Sequence, residues 1–312
     1  MVAASNAKWL TVGKYLKQDV YDGLEKALTH KELERACYLA VELVCSAREV
    51  KPFLAFMIRV YSKHFLSSNS WMVHTVLRTV EEAASLSRKK NFLSNPRFRK
   101  LTCQLVLLIG QEALKDTLAD VRTILSSPAL ASDDKYIWPS AGQDAIIARY
   151  ADQLSSMVSL KLGAVLFNAI RGDITASLHA LNSLLNNTPP YLMQPARFEF
   201  LQVLTEAQRK DTVWYVWDVL LTESAAMDDP VQEYVRSSLS LFLWGFKKSQ
   251  RLDGINLLFY SLFVIAKRSA KRIDRLNPVV TSGSRNIDIV FCETLGTPLP
   301  KLGYLDYYTT TN

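Results

Sequence analysis

The feature that most constrains the fold is a pattern of apolar residues that occurs twice, about 142 positions apart. The offset changes by only a residue or two, at turns between successive segments, and the segments themselves have the spacing of amphipathic helices. Repeats of this kind determine architecture before any local signal does. We therefore predict an all-α protein, internally duplicated as two bundles of five to six short helices each. The matched positions are Leu24, Ala27, Leu28, Leu33, Cys37, Ala40, Val44, Pro52, Met57, Ile58, Val60, Tyr61, Trp71, Val73, Val76, Leu77 and Thr79 with Leu166, Ala169, Ile170, Ile174, Leu178, Leu181, Leu185, Pro195, Phe200, Leu201, Val203, Leu204, Trp214, Val216, Val219, Leu220 and Thr222.

Two breaks in the helical pattern divide the chain. Residues 126–142 carry Pro128, Pro139 and Gly142 without any period, which is typical of a linker. After about Arg275 the pattern fails, and residues 286–294 alternate as one strand would. We expect a first helical unit with its N-terminal segment at 1–125, a linker at 126–142, a second helical unit at 143–275 and an irregular C-terminal arm at 276–312. Because a lone strand is unstable, the arm should lie across its own domain or on a neighbouring subunit.

Capping residues predict where several helices begin. Thr29 and Glu32 have the spacing of a capping box, which places a helix start at Thr29. At the matching joint of the second unit, Gly172 suits the left-handed position after a helix and Asp173 suits the N-cap. The fourth helix of each unit is expected to start at Asn69 or Ser70 and near Asp211, and further starts are marked by prolines, or by Asn or Asp before proline. They are Pro52, Pro195, Asn95-Pro96 and Asp229-Pro230.

The composition is typical of a globular protein, and its net positive charge favours an acidic partner. Apolar residues make up 49% of the chain and charged residues 21%, which suffices for a large core. The formal charge of +7 favours association with nucleic acid, an anionic partner or a membrane surface. The apolar runs at 103–110 and 257–266 are too short to span a bilayer. The four cysteines lack metal spacing, so we expect reduced core residues in the cytoplasm or nucleus.

No arrangement of residues points to catalysis. The chain has no Gly-rich phosphate loop, no dinucleotide fingerprint, no zinc-protease motif and no nucleophile elbow. Adjacent acids such as Glu81-Glu82 point to different helix faces and are interpreted as solvated positions. We therefore predict a protein that is not an enzyme, with no cofactor, no metal site and no small-molecule substrate. The candidate bases are only the four histidines, His30, His64, His74 and His179.

Basic clusters are the best candidates for a binding site. One cluster lies at the predicted start of the fifth helix, and others follow in the second unit, where spacings of three and four place Lys267, Lys271 and Arg275 on one helix side. Such stripes neutralise phosphates. Solvated helix C-termini, where cations compensate the helix dipole, are the alternative. The candidate nucleic-acid-binding residues are Arg88, Lys89, Lys90, Arg97, Arg99, Lys100, Lys247, Lys248, Arg251, Lys267, Arg268, Lys271 and Arg272.

Aromatic residues are concentrated in the second unit and in the tail. Their spacing on helices prevents all of them from facing one core, so some are expected at an interface between subunits. Packing between the two repeats is the alternative. The candidate interface residues are Trp214, Trp217, Trp244, Tyr304, Tyr307 and Tyr308.

Two segments resemble a known helical domain. Residues 24–43 form a helix, a short joint and a second helix with a small-aromatic-apolar run. They resemble the helical collar domain that follows the ATPase module in clamp-loader and replication-associated recombination AAA+ proteins. Residues 168–173 resemble the same joint in its Arg-Gly form, and the likeness extends over about 20–84 and 162–226. The collar holds subunits of that family in a ring, so the resemblance implies an oligomerising scaffold, here without the ATPase module.

These features favour a non-enzymatic, self-assembling scaffold that binds nucleic acid non-specifically, such as a nucleoprotein or replication accessory. We expect a homo-oligomer, contacts to nucleic acid through phosphates, and no membrane span. The alternative is a structural assembly component, such as a viral capsid or shell subunit, with no nucleic-acid role. The expected location is the cytoplasm or nucleus, and a virion for the shell alternative.

Overall fold

The fold is all-α, as the sequence predicts. The computed structural model describes residues 10–47, 50–66, 69–110, 148–150, 152–186, 195–245 and 251–268. Within these ranges the secondary structure is helical, apart from an isolated bridge between Leu10 and Leu16 and a bridge position at Leu154. The described residues divide into two compact units, one from the ranges up to 110 and one from those between 148 and 268. The predicted linker at 126–142, the strand at 286–294 and the arm at 276–312 lie outside them.

The first unit is built around one buried helix. Its helices are α1 (Lys17–Thr29), α2 (Leu33–Ala47), α3 (Val50–Val60), α4 (Val73–Ser87) and α5 (Pro96–Gly110), with a π-helical turn at Tyr61–Phe65 and 3₁₀ turns at Ser70–Met72 and Phe92–Ser94. α5 packs against α1, α2 and α4. Every residue of α5 from Leu101 to Gly110 is buried. The apolar faces of the other helices therefore cover α5 on all sides.

The second unit has a comparable central helix. Its helices are α6 (Ser156–Ile170), α7 (Ile174–Asn186), α8 (Glu206–Arg209), α9 (Val213–Ser224), α10 (Asp229–Gly245) and α11 (Arg251–Lys267), and a 3₁₀ turn at Glu199–Leu201 precedes α8. α11 packs against α6, α7, α9 and α10. Its residues Leu257, Leu258 and Leu262 are almost completely buried.

The two helix joints of the repeat share one backbone geometry. After α1, the N–H of Glu32 donates to the Ala27 carbonyl at 2.8 Å and the N–H of Lys31 to that of Leu28 at 3.1 Å. After α6, Asp173 and Gly172 donate in the same way to Asn168 and Ala169, both at 2.9 Å. This is the Schellman pattern, in which the residue after the cap takes a positive φ, 61° at Lys31 and 80° at Gly172.

The predicted helix start at Thr29 is wrong. Thr29 is the last residue of α1, and its hydroxyl donates to the Lys26 carbonyl of the same helix at 2.9 Å. The Schellman closure carries α1 through Thr29, and α2 begins at Leu33. Gly172 and Asp173 occupy the predicted positions, because Gly172 is left-handed and the Asp173 carboxylate accepts the Ala176 N–H at 2.9 Å.

The predicted helix start at Pro195 is also wrong. Residues 195–198 are not helical, and the Ala196 N–H donates to the Arg209 carbonyl at 3.1 Å. A new start follows at Thr205, which forms a capping box with Gln208. The second unit thus has only short turns where the first unit has α3. The other matched helices follow one another in the same order along the chain in both units. The internal duplication itself stays a prediction.

The cysteines of the described chain are core residues, as predicted. Cys37, Cys45 and Cys103 are buried thiols. Burial raises the pKa of the Cys45 thiol to about 12, with the nearby Glu42 carboxylate adding to the effect. The Cys45 thiol is therefore un-ionised at neutral pH.

A buried carboxylate fastens the N-terminal turn to α2. Glu42 is only 2% exposed, and its Oε1 accepts the Gly13 N–H at 2.6 Å. One turn further along α2, the Ser46 hydroxyl accepts the Val12 N–H at 2.5 Å. A buried carboxylate is costly unless it is hydrogen-bonded. The turn at residues 10–16 and the Glu42 side chain therefore stabilise each other.

We predict that Glu42→Ala lowers the free energy of unfolding of the first unit by about 1–3 kcal/mol, because it leaves the Gly13 amide without its acceptor. Urea unfolding of the full chain, followed by circular dichroism, measures the change. Glu34→Ala on the exposed side of α2 is the control and should change this value by less than about 0.5 kcal/mol. Equal losses in the two variants would contradict the prediction.

Candidate nucleic-acid interface

The first basic cluster lies on the connection between α4 and α5. Arg88 caps the C-terminus of α4, and the Lys89 N–H donates to the Leu86 carbonyl at 3.1 Å. Asn91 then adopts a left-handed conformation with φ of 57°, which Asn tolerates better than most residues. The 3₁₀ turn at Phe92–Ser94 completes the connection. Local hydrogen bonds thus define a short connection that carries Arg88, Lys89 and Lys90.

The start of α5 anchors this connection to the core. The Asn95 side-chain oxygen accepts the N–H of Arg97 at 2.9 Å and that of Phe98 at 3.3 Å. Pro96 is the first helical residue, so the predicted cap is confirmed. Phe98 is fully buried, and Phe92 contacts it edge-on with ring centroids 5.0 Å apart. These contacts hold the backbone that carries the cations.

All six cations predicted in this cluster lie on one segment, which we call the basic junction and define as residues 88–100. Arg88, Lys89, Lys90 and Lys100 are exposed. Among the described residues, none forms an ion pair with any of these four. Within the described part of the chain, no carboxylate neutralises their charge.

The position of these cations distinguishes between the two interpretations of the cluster. Arg88 and its two neighbours follow the C-terminus of α4, where positive charge compensates the helix dipole. Arg97, Arg99 and Lys100 occupy the start of α5, and no acidic residue lies in its first turn. Cations are unfavourable at a helix N-terminus. Dipole compensation therefore explains one half of the basic junction and not the other.

Two of the six cations are already engaged within the protein. Arg97 forms a bidentate ion pair with Glu82 on α4, with Nε to Oε1 at 2.6 Å and Nη2 to Oε2 at 2.8 Å. The Arg97 hydrogen bond lowers the pKa of the Glu82 carboxyl, and Glu82 raises the pKa of Arg97. Arg99 is half-buried and donates from Nη2 to the Ser94 carbonyl at 3.4 Å. Arg97 therefore ties the junction to α4, and the Arg99 hydrogen bond lies within the junction itself.

The second basic cluster departs from its prediction. Lys267 and Arg268 are exposed, and Lys267 Nζ lies 5.7 Å from the centroid of the Phe263 ring. α11 ends at Lys267, and Arg268 takes a left-handed φ of 47°. The predicted helical stripe from Lys267 through Lys271 is therefore interrupted at Arg268. Outside the described residues lie Lys247, Lys248, Lys271, Arg272 and the side chain of Arg251.

The interface prediction is wrong for two tryptophans. Trp214 and Trp217 are fully buried in the second unit, and both rings contact Phe242, with centroids 5.6 and 5.5 Å away. The Trp214 indole N–H donates to the Gln208 carbonyl at 2.8 Å. Both pack inside one unit, where consecutive turns of α9 lie against α10, and the alternative of packing between the two repeats does not describe this arrangement. Trp244 is half-buried. Tyr304, Tyr307 and Tyr308 lie outside the described residues.

Sequence reasoning missed an aromatic cluster in the second unit. Phe198 contacts Tyr150 and Tyr215 edge-on, with centroids 6.3 and 5.4 Å away, and stacks on Phe200. The Tyr150 hydroxyl donates to Asp218 at 2.5 Å. Burial, together with this hydrogen bond, raises the pKa of Tyr150. Alternate residues 198 and 200 both face the cluster, which a helical template does not anticipate.

A second missed group surrounds the π-helical turn. Lys63 Nζ and His64 Nε2 both contact Glu25 Oε1, at 2.9 and 2.6 Å. Burial raises the pKa of Glu25, but the hydrogen bonds from Lys63 and His64 outweigh it and lower the pKa overall. His179, one of the four candidate bases in the sequence, is only 8% exposed, and burial lowers its pKa.

The described residues offer neither a metal site nor a membrane span. Among them, no group of three or more His, Cys, Asp or Glu side chains could hold a metal ion. None of their helices is long and apolar enough to cross a membrane. No family model, curated protein or solved structure matches the chain.

We predict that Glu82→Gln increases affinity for a fluorescently labelled oligonucleotide by about three- to tenfold, because it releases the Arg97 guanidinium for one more phosphate. Fluorescence anisotropy at low salt measures the affinity. Glu81→Gln on the exposed side of α4 is the matched control, since it removes the same charge without freeing an arginine. Equal gains in both variants would show that net charge alone matters.

The same variant should lose less than about 1 kcal/mol of stability, because the ion pair is largely solvated. Because its pKa is lowered in the folded protein, ionised Glu82 contributes to stability at pH values above the ordinary pKa of a carboxyl group. This contribution to stability is lost as the pH falls through the lower pKa that Glu82 has in the folded protein.

Proposed function

We propose that this protein is a non-enzymatic scaffold that binds nucleic acid through phosphates at the basic junction. The observation that carries the proposal is the set of four exposed cations, Arg88, Lys89, Lys90 and Lys100, on one anchored segment. Exposed lysines and arginines on a common surface release counterions when they meet phosphates, which drives binding to either DNA or RNA.

The surroundings of the junction support contacts to phosphates and not to bases. A helix that reads bases must enter the major groove with one exposed face. α5 is buried from Leu101 to Gly110, so only its first turn can approach a ligand. Reading of single strands requires exposed aromatic rings. Phe98 is fully buried and Phe92 packs on its edge, so neither ring can stack freely on a base.

We further propose that the protein self-associates, as the resemblance to the collar domain implies. Side chains that could take part are Val12, Tyr15 and Leu16, which are 51%, 55% and 53% exposed within the N-terminal turn. Three large apolar side chains exposed within five residues are a typical contribution to an interface. The same observation favours the second candidate function, a shell or capsid-like assembly component without nucleic acid.

The first test reverses the charge of the basic junction. The triple variant Arg88→Glu, Lys89→Glu, Lys90→Glu should lower affinity at least about 30-fold at low salt, because three phosphate contacts become repulsive. The loss should be equal for oligonucleotides of different sequence, since phosphates carry no sequence information. Anisotropy titrations with two unrelated sequences measure both quantities.

A matched variant controls for net charge. Lys14→Glu, Lys26→Glu, Lys51→Glu changes the same number of exposed lysine or arginine charges in the same unit, outside the basic junction. It should reduce affinity only about threefold through the general field of the protein. Unchanged binding in the junction variant, or equal losses in the two variants, would contradict the proposed site.

Light scattering separates the scaffold from a monomeric binding protein. We expect the full chain to form a homo-oligomer in the absence of nucleic acid, and Tyr15→Ser with Leu16→Ser to shift it towards the monomer. A monomer at all concentrations in the unsubstituted chain would contradict both the scaffold and the shell proposals. An oligomer that binds no nucleic acid would favour the shell component.

A further inference from the structure

Two cysteines from different helices meet in the core of the first unit. Cys37 lies on α2 and Cys103 on α5, and their sulfur atoms are 3.1 Å apart although 66 residues separate them in the chain. This distance is shorter than the usual separation of two unbonded sulfur atoms and roughly 1 Å longer than a disulfide bond. The fold therefore brings these two thiols close enough to react with each other.

The third described cysteine does not share this arrangement. Cys45 lies on α2 two turns after Cys37, which places their Cα atoms about 12 Å apart along the helix axis. A disulfide requires Cα atoms within about 7 Å. Cys45 is surrounded instead by the charges of Glu42 and Arg99. Cys45 therefore cannot form a disulfide with Cys37.

We propose that Cys37 and Cys103 form a reversible disulfide that joins α2 to α5 when the protein meets a low-molecular-weight disulfide such as oxidised glutathione. The Cys37 sulfur attacks one sulfur of the oxidant, whose S–S bond breaks, and one glutathione leaves as a thiol. The Cys103 sulfur then attacks Cys37, and the second glutathione leaves as a thiol. Two protein thiols are oxidised, and one oxidant molecule is reduced to two thiols with their protons.

The surroundings of the pair determine the order and the rate of these steps. Cys37 is 8% exposed and Cys103 only 1%, so Cys37 is the sulfur that an oxidant reaches first. The contact with Cys103 and burial both raise the pKa of the Cys37 thiol. Few molecules therefore carry the reactive thiolate at any moment, and formation is slow. The same burial slows the reduction of the bond by external thiols.

The disulfide should stabilise the first unit. It closes a loop that contains α3 and α4 together with parts of α2 and α5, and it thereby restricts the unfolded chain. Since the folded chain already holds the sulfurs together, little rearrangement accompanies the bond. We expect the unfolding midpoint of the first unit to rise by at least about 5 °C on oxidation.

The test uses the full chain with Cys45→Ser and Cys292→Ser, so that only the proposed pair remains. The folded protein is incubated with oxidised glutathione at pH 8, unfolded in acid and alkylated. We expect nearly all molecules to lose two hydrogen atoms in mass, to resist alkylation and to carry no glutathione. The unsubstituted chain, digested without reduction, should give a peptide pair that contains Cys37 and Cys103.

The matched control carries Cys103→Ser and Cys292→Ser and leaves Cys37 with Cys45 on the same helix. It should form no internal disulfide and gain at most a glutathione adduct. The same variant, unfolded in guanidinium, shows whether the oxidant can form the disulfide under these conditions. The proposal is overturned if the unfolded sample crosslinks while both thiols of the folded protein can still be alkylated. It is equally overturned if the control crosslinks to the same extent, or if oxidation lowers the unfolding midpoint.

Discussion

The burial of α5 is the constraint on which the first unit depends. From Leu101 to Gly110 every residue of this helix is removed from water, and α1, α2 and α4 pack around it. Its basic first turn cannot be buried in the same way, because unpaired cations are too costly to desolvate. The helix must therefore emerge from the core at its N-terminus. The second half of the basic junction, with Arg97, Arg99 and Lys100, lies at this point.

The burial of α5 links three features of the first unit, which are the anchor at Asn95, the Arg97–Glu82 ion pair and the Cys37–Cys103 contact. Asn95 and the Phe92–Phe98 contact fix the point of emergence, and the Arg97–Glu82 ion pair ties it to α4. Within the buried part of the same helix, Cys103 meets Cys37 of α2. Nucleic-acid binding and thiol oxidation are thus proposed for opposite parts of one helix, and a disulfide would stiffen the support of the basic junction without touching its cations.

Local signals predicted much of the fold and part of the site. Helical periodicity identified the all-α class, and the Asn95-Pro96 pair located the start of α5, because cap and proline chemistry act within a few residues. The same local reasoning placed the six cations on one segment. It failed at Thr29, where a non-glycine residue, Lys31, adopts the left-handed conformation that the rule associates with Gly.

The rest depends on contacts between residues distant in sequence. Whether Arg97 is free or paired is decided by Glu82, and whether Trp214 and Trp217 face a partner or the core is decided by Phe242. The segment after Pro195 packs its aromatic rings against Tyr150 and Tyr215 and does not continue as a helix. The spacing of residues along the chain does not identify such neighbours.

The salt dependence of binding tests the central claim most directly. The logarithm of the association constant falls linearly with the logarithm of salt concentration, by roughly 0.7 to 0.9 per phosphate contacted. The account predicts such a line for the full chain, with a slope that is shallower by about two when Arg88, Lys89 and Lys90 are replaced by Gln. A flat line for the unsubstituted chain, or the same slope for both proteins, would contradict it.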